Sequence, residues 1–265
     1  MSKFIIGFEF EFFHPLWSDE IEDDLHRIFG RKLGSKFEVI EDCSLKTSPE
    51  TRNLKGWEIV TPPLPEKESM EVFSVVRDYL VETEAKTNKT TGLHVNMSIQ
   101  NKKVMKAMDP RIVIASTDDL YLAKIYGRVK NSYCEPWPSV IRKLDKERKK
   151  ENKKSKSYYT FDLKTEFDNI VYAMYVDSMP QPANPVVEEF FCVVDGPKYT
   201  SINIGKLEYC KYIEYRMIGG PSYLEEPNYI YDAVEHFKLG QEKATDKRNE
   251  KIIPEYLEWA SEVKL

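Results

Sequence analysis

Strict alternation of side chains between Lys3 and Phe13 constrains the fold of this chain more than any other feature. The apolar positions of one parity are Phe4, Ile6, Phe8, Phe10 and Phe12, and the opposite parity carries Glu9 and Glu11. Because successive side chains of a β-strand point to opposite faces, this pattern predicts a strand with one wholly apolar face. The two carboxylates then share the other face, about 7 Å apart along the strand.

Three later segments repeat this alternation and place polar or ionisable residues on one parity. These residues are Glu58, which lies between Trp57 and Ile59, then His94 and Asn96, and finally Glu214 and Arg216. If the apolar faces of all four strands pack under helices, the ionisable side chains meet on one common face of a sheet. The sequence therefore predicts a cluster of four carboxylates, one imidazole and one guanidinium.

Helical patterns lie between the predicted strands, without the regular alternation of a βαβ fold. Apolar residues at helical spacing predict helices near residues 18–30, 66–83, 116–125 and 167–174, with two more near 228–238 and 252–262. This mixture favours an α+β fold, in which helices cover the outer face of a curled antiparallel β-sheet. By length alone, 265 residues are as compatible with one large domain as with two small ones. Because four strands share the same apolar parity, we expect residues 1–265 to form a single domain with a C-terminal helical segment at about 228–265.

Composition excludes several classes of protein. Hydrophobic residues make up 41% of the chain and aromatic residues 12%, which excludes extensive disorder. The formal net charge of −5 provides no global attraction to nucleic acid or membranes, and no segment approaches the roughly 20 apolar residues of a membrane span. The four cysteines (Cys43, Cys134, Cys192 and Cys210) are widely spaced, which argues against a disulfide framework or a zinc site. We expect a cytoplasmic protein that does not associate with membranes.

One strongly basic segment departs from this balance. Residues 142–156 contain nine basic and three acidic residues, and we expect a lysine-rich insertion at about 142–157. A solvated excursion or charged helix end is the favoured interpretation. A contact surface for nucleic acid or another acidic partner is the alternative.

The clustered carboxylates indicate a metal–phosphate site. Four carboxylates on one face repel one another unless cations neutralise them. Together with one imidazole they form an oxygen-rich ligand set that suits Mg²⁺ or Mn²⁺. Such ions commonly bridge phosphates, and Arg216 on the same face can bind phosphoryl oxygens in a bidentate manner. The spacing therefore predicts a Mg–ATP site on an open sheet, although each motif alone is more typical of a solvated or structural residue.

Five blocks of sequence resemble, in order, the amidoligase family, the carboxylate–amine ligases related to glutamine synthetase and glutamate–cysteine ligase. The blocks are IGFEFEF (6–12), EDCSLKTSPETRNLKGWEIVTPPL (41–64), TTGLHVNMS (90–98), YGRVKNSYCEPW (126–137) and YTSINIGKLEYCKYIEYRMIGGP (199–221). The resemblance covers about residues 4–221 and implies a catalytic domain like those of glutamine synthetase and guanidino kinases. Family members are often phage-encoded, in which case the compartment is the host cytoplasm.

The resemblance also implies roles for individual residues. The implied metal ligands are Glu9, Glu11, Glu58, His94 and Glu214; the implied catalytic residues are Glu58, Arg128 and Arg216; and the implied nucleotide contacts are His94, Asn96, Lys198 and Arg216. Lys198 departs from the family pattern, because many relatives carry arginine before the tyrosine. Asp42 and Ser44 resemble a loop on the substrate side.

The implied reaction is ATP-dependent formation of an amide or isopeptide bond between a small-molecule or peptide carboxylate and an amine. The γ-phosphoryl group of ATP moves to the carboxylate, and the amine then attacks the acyl phosphate. Catalysis in such a site is mainly positioning and charge neutralisation. Two alternatives stay open: a phosphoryl-transfer enzyme of the same fold, and a catalytically inactive nucleotide-binding or interaction module.

Overall fold

The computed structural model describes residues 3–131, 133–154, 162–175, 199–221 and 223–265. Seven strands in these ranges form one unclosed antiparallel sheet with the order β2-β3-β1-β5-β7-β6, and β4 pairs with the start of β1. The strands are β1 (Phe4–His14), β2 (Glu38–Glu41), β3 (Lys55–Val60), β4 (Leu64–Pro65), β5 (Gly92–Ile99), β6 (Ile202–Asn203) and β7 (Ile213–Gly219).

Helices occupy most of the remaining described residues. They are α1 (Ser18–Gly34), α2 (Glu66–Glu82), α3 (Lys102–Ala107), α4 (Pro110–Ser116), α5 (Asp119–Ile125), α6 (Trp137–Lys154), α7 (Leu163–Tyr175), α8 (Lys206–Cys210), α9 (Pro227–Ala244) and α10 (Ile252–Glu262). The predicted α+β class with an antiparallel sheet is confirmed. In these described ranges no helix is both long enough and apolar enough to cross a membrane.

The apolar face of the sheet forms the core against two helices. On β1, the five apolar positions of one parity are at most 2% exposed. The rings of Phe8 and Phe10 pack on Phe73 of α2, with centroid distances of 5.1 and 5.7 Å. Tyr215 of β7 stacks on Phe237 of α9 at 4.0 Å. Burial of these aromatic rings fixes which face of β1 and β7 points inward, and the acidic parity must take the other face.

The first helix differs from the expectation that it ends at Gly30. The chain leaves helical geometry at Gly30, with φ of 69° and ψ of 157°, and then resumes the helix as far as Gly34. Glycine adopts this left-handed conformation without a Cβ penalty, so the residue kinks the helix. The expected end at Gly30 was therefore wrong, because the pattern of apolar residues does not distinguish a kink from a terminus.

The lysine-rich segment is helical as far as the structure describes it. Residues 142–154 form the second part of α6, and Val140, Ile141 and Leu144 on the same helix are buried. Several of its basic side chains form ion pairs on the helix surface, including Lys149 with Asp145 at 2.5 Å. The rest of the expected insertion, residues 155–157, lies outside the described residues, so its extent stays a prediction.

Candidate active site

The register of the sheet brings the ionisable residues of four strands together. Glu11 of β1 lies opposite Glu58 of β3, and Glu9 of β1 lies opposite His94 of β5. Further across the sheet, Asn96 of β5 lies opposite Glu214 of β7. Side chains at directly opposite positions have Cβ atoms about 4.5–5.5 Å apart, so these groups can interact across the strands. We call Glu9, Glu11, Glu58, His94 and Glu214 the acid cluster.

His94 lies at the centre of the acid cluster. Its Nδ1 atom is 3.0 Å from Glu9 Oε2 and 3.5 Å from Glu214 Oε1. Its Nε2 atom is 3.4 Å from Glu11 Oε1. One ligand atom from each of Glu9, His94 and Glu214 can be chosen so that all three lie within 4.8 Å of one another. This spacing allows the three residues to share one metal ion.

Burial, neighbouring charges and hydrogen bonds shift the pKa values of Glu58 and Glu9 in opposite directions. Burial and the negative charge of Glu9 raise the pKa of Glu58 to about 8. For Glu9, burial opposes ionisation, but hydrogen bonds from His94 and Asn96 outweigh it and lower the pKa to about 2. At neutral pH the metal-free protein therefore keeps Glu9 ionised and Glu58 protonated.

The surroundings of His94 also favour the protonated form of its imidazole. Burial and the nearby Arg216 oppose protonation, whereas Glu11, Glu9 and Glu214 raise the pKa of His94 above its usual value. Without a metal, the raised pKa values of Glu58 and His94 favour proton binding, which reduces the negative charge of the acid cluster. A divalent cation requires the neutral imidazole and ionised carboxylates, so it would take the place of these protons. The donor set therefore fits a hard metal ion.

Replacing Glu58 with Gln should remove a pH dependence of stability from the metal-free protein. The folded-state pKa of Glu58, about 8, lies above its ordinary value of 4.5, so its protonated form stabilises the fold below pH 4.5. That contribution is lost as pH rises to about 8. In EDTA, the melting temperature of the wild type should fall as pH rises from 4.5 to about 8, whereas that of Glu58→Gln should change less with pH. At pH 8, the free energy of unfolding of Glu58→Gln should exceed that of the wild type by about 1 kcal/mol or more. Parallel melting curves for the two proteins would contradict the assignment.

A β-bulge places Arg216 beside the acid cluster. Val95 pairs with Tyr215 and Leu93 pairs with Ile218, so two residues of β7 lie opposite His94 alone. Bulges of this kind occur next to active sites, where they re-aim a side chain. The Nη1 atom of Arg216 lies 3.3 Å from Glu214 Oε1. Its buried Nε atom has no hydrogen-bond partner among the described residues, which leaves a donor for an anionic ligand.

Arg128 lies in the loop after α5, and its side chain extends to the Glu11 end of the acid cluster. Its side chain is buried, and Nη1 donates a hydrogen bond of 2.6 Å to the carbonyl oxygen of Ile218. A Cβ atom on Gly92 would lie 2.9 Å from Arg128 Nη1, 3.0 Å from Glu11 Oε2 and 3.3 Å from His94 Nε2. Glycine at position 92 therefore gives these three groups the room to converge. The Nε atom of Arg128 is also buried without a partner in the described ranges.

Several residues of the site were not anticipated from the sequence. Asn203 of β6 donates a hydrogen bond of 2.5 Å to Glu214 Oε2, and the Tyr223 hydroxyl donates one of 2.7 Å to the backbone oxygen of Glu11. The buried thiol of Cys134 hydrogen-bonds with Arg128, and burial raises its pKa, which favours a structural role over a nucleophilic one. No local pattern marks these residues, because their roles depend on strand pairing and loop packing.

Two cavities approach the acid cluster from its two ends. The first, of about 610 Å³, we call the Glu9 cavity. Its lining includes Ile5, Gly7, Glu9, Val60, Pro63, Asn96, Ile99, Lys102, Met105, Lys106, Lys211 and Tyr212. The second, of about 400 Å³, we call the Arg128 cavity, and it lies at the Glu11 end. Both volumes lie within the usual range for small-ligand sites.

Eight of the nine residues assigned to the site from the sequence therefore lie in one region. They are Glu9, Glu11, Glu58, His94, Asn96, Arg128, Glu214 and Arg216. The ninth, Lys198, lies outside the described residues. The roles assigned to these residues in metal binding, nucleotide binding and catalysis stay predictions.

The chain is similar to a known protein family. A family model with the description "Putative amidoligase enzyme" matches residues 3–177. No curated protein and no solved structure matches the chain. The matched range contains Glu9, Glu11, Glu58, His94 and Arg128, and it ends before Glu214 and Arg216.

Proposed function

This chain belongs to the amidoligase family, and from that membership we propose that it is an ATP-dependent carboxylate–amine ligase. The reaction proposed is amide or isopeptide bond formation through an acyl phosphate. The observation that carries this proposal is the acid cluster around His94, which lies between two cavities and beside two arginines whose Nε atoms have no hydrogen-bond partner among the described residues. A metal-binding centre with ligand-sized spaces on either side suits a reaction that joins a nucleotide and a second substrate.

Mg²⁺ or Mn²⁺ would be held by the carboxylates of Glu9, Glu11, Glu58 and Glu214 and by His94 Nδ1. When bound, such an ion neutralises negative charge on phosphoryl oxygens. Asn96 helps to orient this ligand set, because its Nδ2 atom donates a hydrogen bond of 2.6 Å to Glu9 Oε1. Its buried Oδ1 atom has no partner in the described part of the chain.

ATP is proposed to bind in the Glu9 cavity. The cavity has apolar walls for a base, including Ile5, Val60 and Met105, and lysines that can contact phosphates. Because Glu9 and Asn96 line its inner end, phosphates extending inward would meet the acid cluster. Arg216 lies beside Glu214 at the same cluster, and its Nε atom, which no described residue pairs with, can donate to a phosphoryl oxygen.

The carboxylate substrate is proposed to enter through the Arg128 cavity. One of its oxygens attacks the γ-phosphorus of ATP, the bond from that phosphorus to the β–γ bridging oxygen breaks, and ADP leaves with the electron pair. The amine nitrogen then attacks the acyl carbon, loses a proton, and inorganic phosphate departs. Arg128 orients the carboxylate, and its buried guanidinium offsets negative charge at the point of transfer.

The unclosed antiparallel sheet is consistent with a catalytic domain of the glutamine synthetase type, which we include in the proposal. In this interpretation residues 1–265 form one catalytic domain. The site then lies on the sheet face opposite the core helices α2 and α9.

A thermal-shift experiment tests the metal and nucleotide parts of the proposal. A non-hydrolysable ATP analogue should raise the melting temperature only when Mg²⁺ or Mn²⁺ is present. Binding to the native state at 100 times Kd stabilises it by about 2.7 kcal/mol, which is about 5–10 °C for a chain of this size. Equal stabilisation in excess EDTA would contradict a metal-bridged nucleotide.

Product analysis separates ligation from the two alternatives. With ATP, a carboxylate and hydroxylamine as the amine, a ligase releases ADP and forms a hydroxamate. A phosphoryl-transfer enzyme would instead leave a stable phosphorylated product whose yield does not depend on the amine. An inactive nucleotide-binding module would show the thermal shift without ADP release.

A further inference from the structure

The Arg128 cavity is unusually cationic. Lys46, Lys89, Lys130 and Arg128 all contribute to its lining, and the other lining residues are Thr90, Tyr126, Gly127, Asn131, Tyr133, Gly220 and Pro221. The described residues that form this lining therefore include no carboxylate. A cavity of about 400 Å³ with four cations and no acidic partner attracts anions.

Hydrogen bonds between loops hold two of the three lysines at the cavity. The backbone N–H of Lys46 donates to Thr90 Oγ1 at 3.2 Å, and Asn88 Nδ2 donates to the carbonyl oxygen of Lys46 at 2.9 Å. Asn131 Nδ2 donates to the carbonyl oxygen of Lys89 at 3.4 Å. The segments around residues 46, 89 and 131 are therefore joined to one another. These contacts hold the backbone at Lys46 and Lys89 in place, which lowers the entropic cost of ordering the loops when a ligand binds.

Arg128 provides an independent indication that an anion belongs here. Arg128 is 3% exposed, and within the described part of the chain its Nε atom has no hydrogen-bond partner and its guanidinium forms no salt bridge. A buried guanidinium without an anionic partner is costly, and such groups are usually paired. Because Arg128 lines the cavity and also reaches Glu11 and His94, an anion bound to it would lie next to the acid cluster.

We propose that the Arg128 cavity selects a carboxylate substrate that carries at least one further anionic group. The inference rests on the proposed ligase function. The reacting carboxylate would bind at Arg128, beside the acid cluster. The three lysines are exposed at the outer part of the cavity, where they would bind the second anionic group. Among the described residues of the lining no carboxylate faces these lysines, and Lys46 contacts only the ring of Tyr133 there. A substrate with a single carboxylate would leave their charge without an anionic partner in the cavity, so the lysines favour di- and polyanionic substrates.

Isothermal titration calorimetry at low ionic strength, in EDTA, tests this selection. The probes are butyrate, glutarate and 3-phosphonopropionate, which differ in the number and kind of anionic groups. Glutarate or 3-phosphonopropionate should bind the wild type at least tenfold more tightly than butyrate does, and the tighter of the two identifies the second group as carboxylate or phosphate-like. Lys46→Gln/Lys89→Gln/Lys130→Gln should lose at least tenfold in affinity for that probe.

The matched control is Lys32→Gln/Lys36→Gln/Lys67→Gln, which removes the same charge from exposed lysines outside both cavities. It should change the affinity less than twofold. Absence of binding to the wild type, equal binding of butyrate, or equal losses in the two triple variants would each overturn the proposal. If the wild type shows the Mg²⁺-dependent ATP shift but fails these tests, only the proposed anion selection is overturned. If it binds the dianions but shows no ATP shift, the anion site is supported and the ligase proposal is overturned.

Discussion

Replacing Glu11 with Gln should leave the protein folded and remove nearly all of its amine-dependent ATP turnover. Glu11 lies on the acidic face of β1, where its Oε1 atom is 3.4 Å from His94 Nε2. A neutral amide is a much poorer ligand than a carboxylate for a hard divalent cation. Losing about 4 kcal/mol of charge stabilisation in the transition state corresponds to a rate lower by about 1,000-fold. The measurement is hydroxylamine-dependent ADP release, with melting curves recorded in EDTA and in Mg²⁺.

The stability of the Glu11→Gln variant shows whether Glu11 is a metal ligand or has only a structural role. In EDTA, Glu11→Gln should melt at or slightly above the wild-type temperature, because one of several mutually repelling carboxylates is gone. In Mg²⁺ it should gain less stability than the wild type does. Wild-type turnover in this variant would show that Glu11 takes no part in the chemistry.

Phe10→Gln is the matched control on the opposite face of the same strand. Phe10 is fully buried and stacks on Phe73, with an interplanar angle of 15°. The substitution removes a large apolar side chain and buries an amide, which should cost about 3–5 kcal/mol of folding stability. Two neighbouring glutamine substitutions should thus have opposite effects, one on turnover and the other on melting.

Gly219→Ala should be strongly destabilising and should also displace Arg128. Gly219 ends β7 with φ of 152°, and a Cβ atom there would overlap Arg128 Nη1. The same atom would lie 2.6 Å from the carbonyl oxygen of Thr91 and 2.8 Å from Gly92 Cα. Because these two contacts involve backbone atoms, a side-chain rotation cannot relieve them. We expect a loss of about 3 kcal/mol or more, which lowers the melting temperature by about 6–12 °C for a chain of this size.

Gly127→Ala is the control for backbone strain without overlap. Gly127 also has a positive φ, of 63°, but a Cβ atom there would meet nothing within 4 Å. A non-glycine residue in this conformation costs about 1–2 kcal/mol. Melting curves and ADP release for the two variants separate the cost of a positive φ from the cost of steric overlap. If Gly219→Ala melts no lower than Gly127→Ala, the close packing of Arg128 against β7 does not constrain the fold.

Among the described residues, the strands β1, β3, β5 and β7 and six of the ten α-helices could be predicted because their patterns are local. The short strands β2, β4 and β6 and the helices α3, α4, α6 and α8 were not predicted. On β1, the alternation of phenylalanines with Glu9 and Glu11 allows only one orientation toward the core, since burying the acidic parity would be prohibitively costly. The apolar spacing in α2 and α9 indicated helices for the same reason. Gly30 shows the limit of such patterns, because a kink and a helix end have the same local sequence signal.

The membership of the acid cluster could also be predicted, because strand parity assigns each side chain to a face. Glu9, Glu58, His94 and Glu214 all lie on the parity opposite the apolar positions of their strands. The family resemblance supplied Arg128, for which the alternation gives no indication. Parity does not specify which strands are neighbours, or which residue faces which across them.

Only the tertiary structure decided the distances and the charge states in the site. Pairing between distant segments sets Glu9 opposite His94 and creates the bulge in β7 beside His94. Local sequence patterns do not encode this pairing. The same pairing, with the loops that carry Lys46, Lys89 and Arg128, creates the two cavities. Alternation determined which side chains could meet. Long-range packing determined how closely they meet, and electrostatic effects depend on distance and burial.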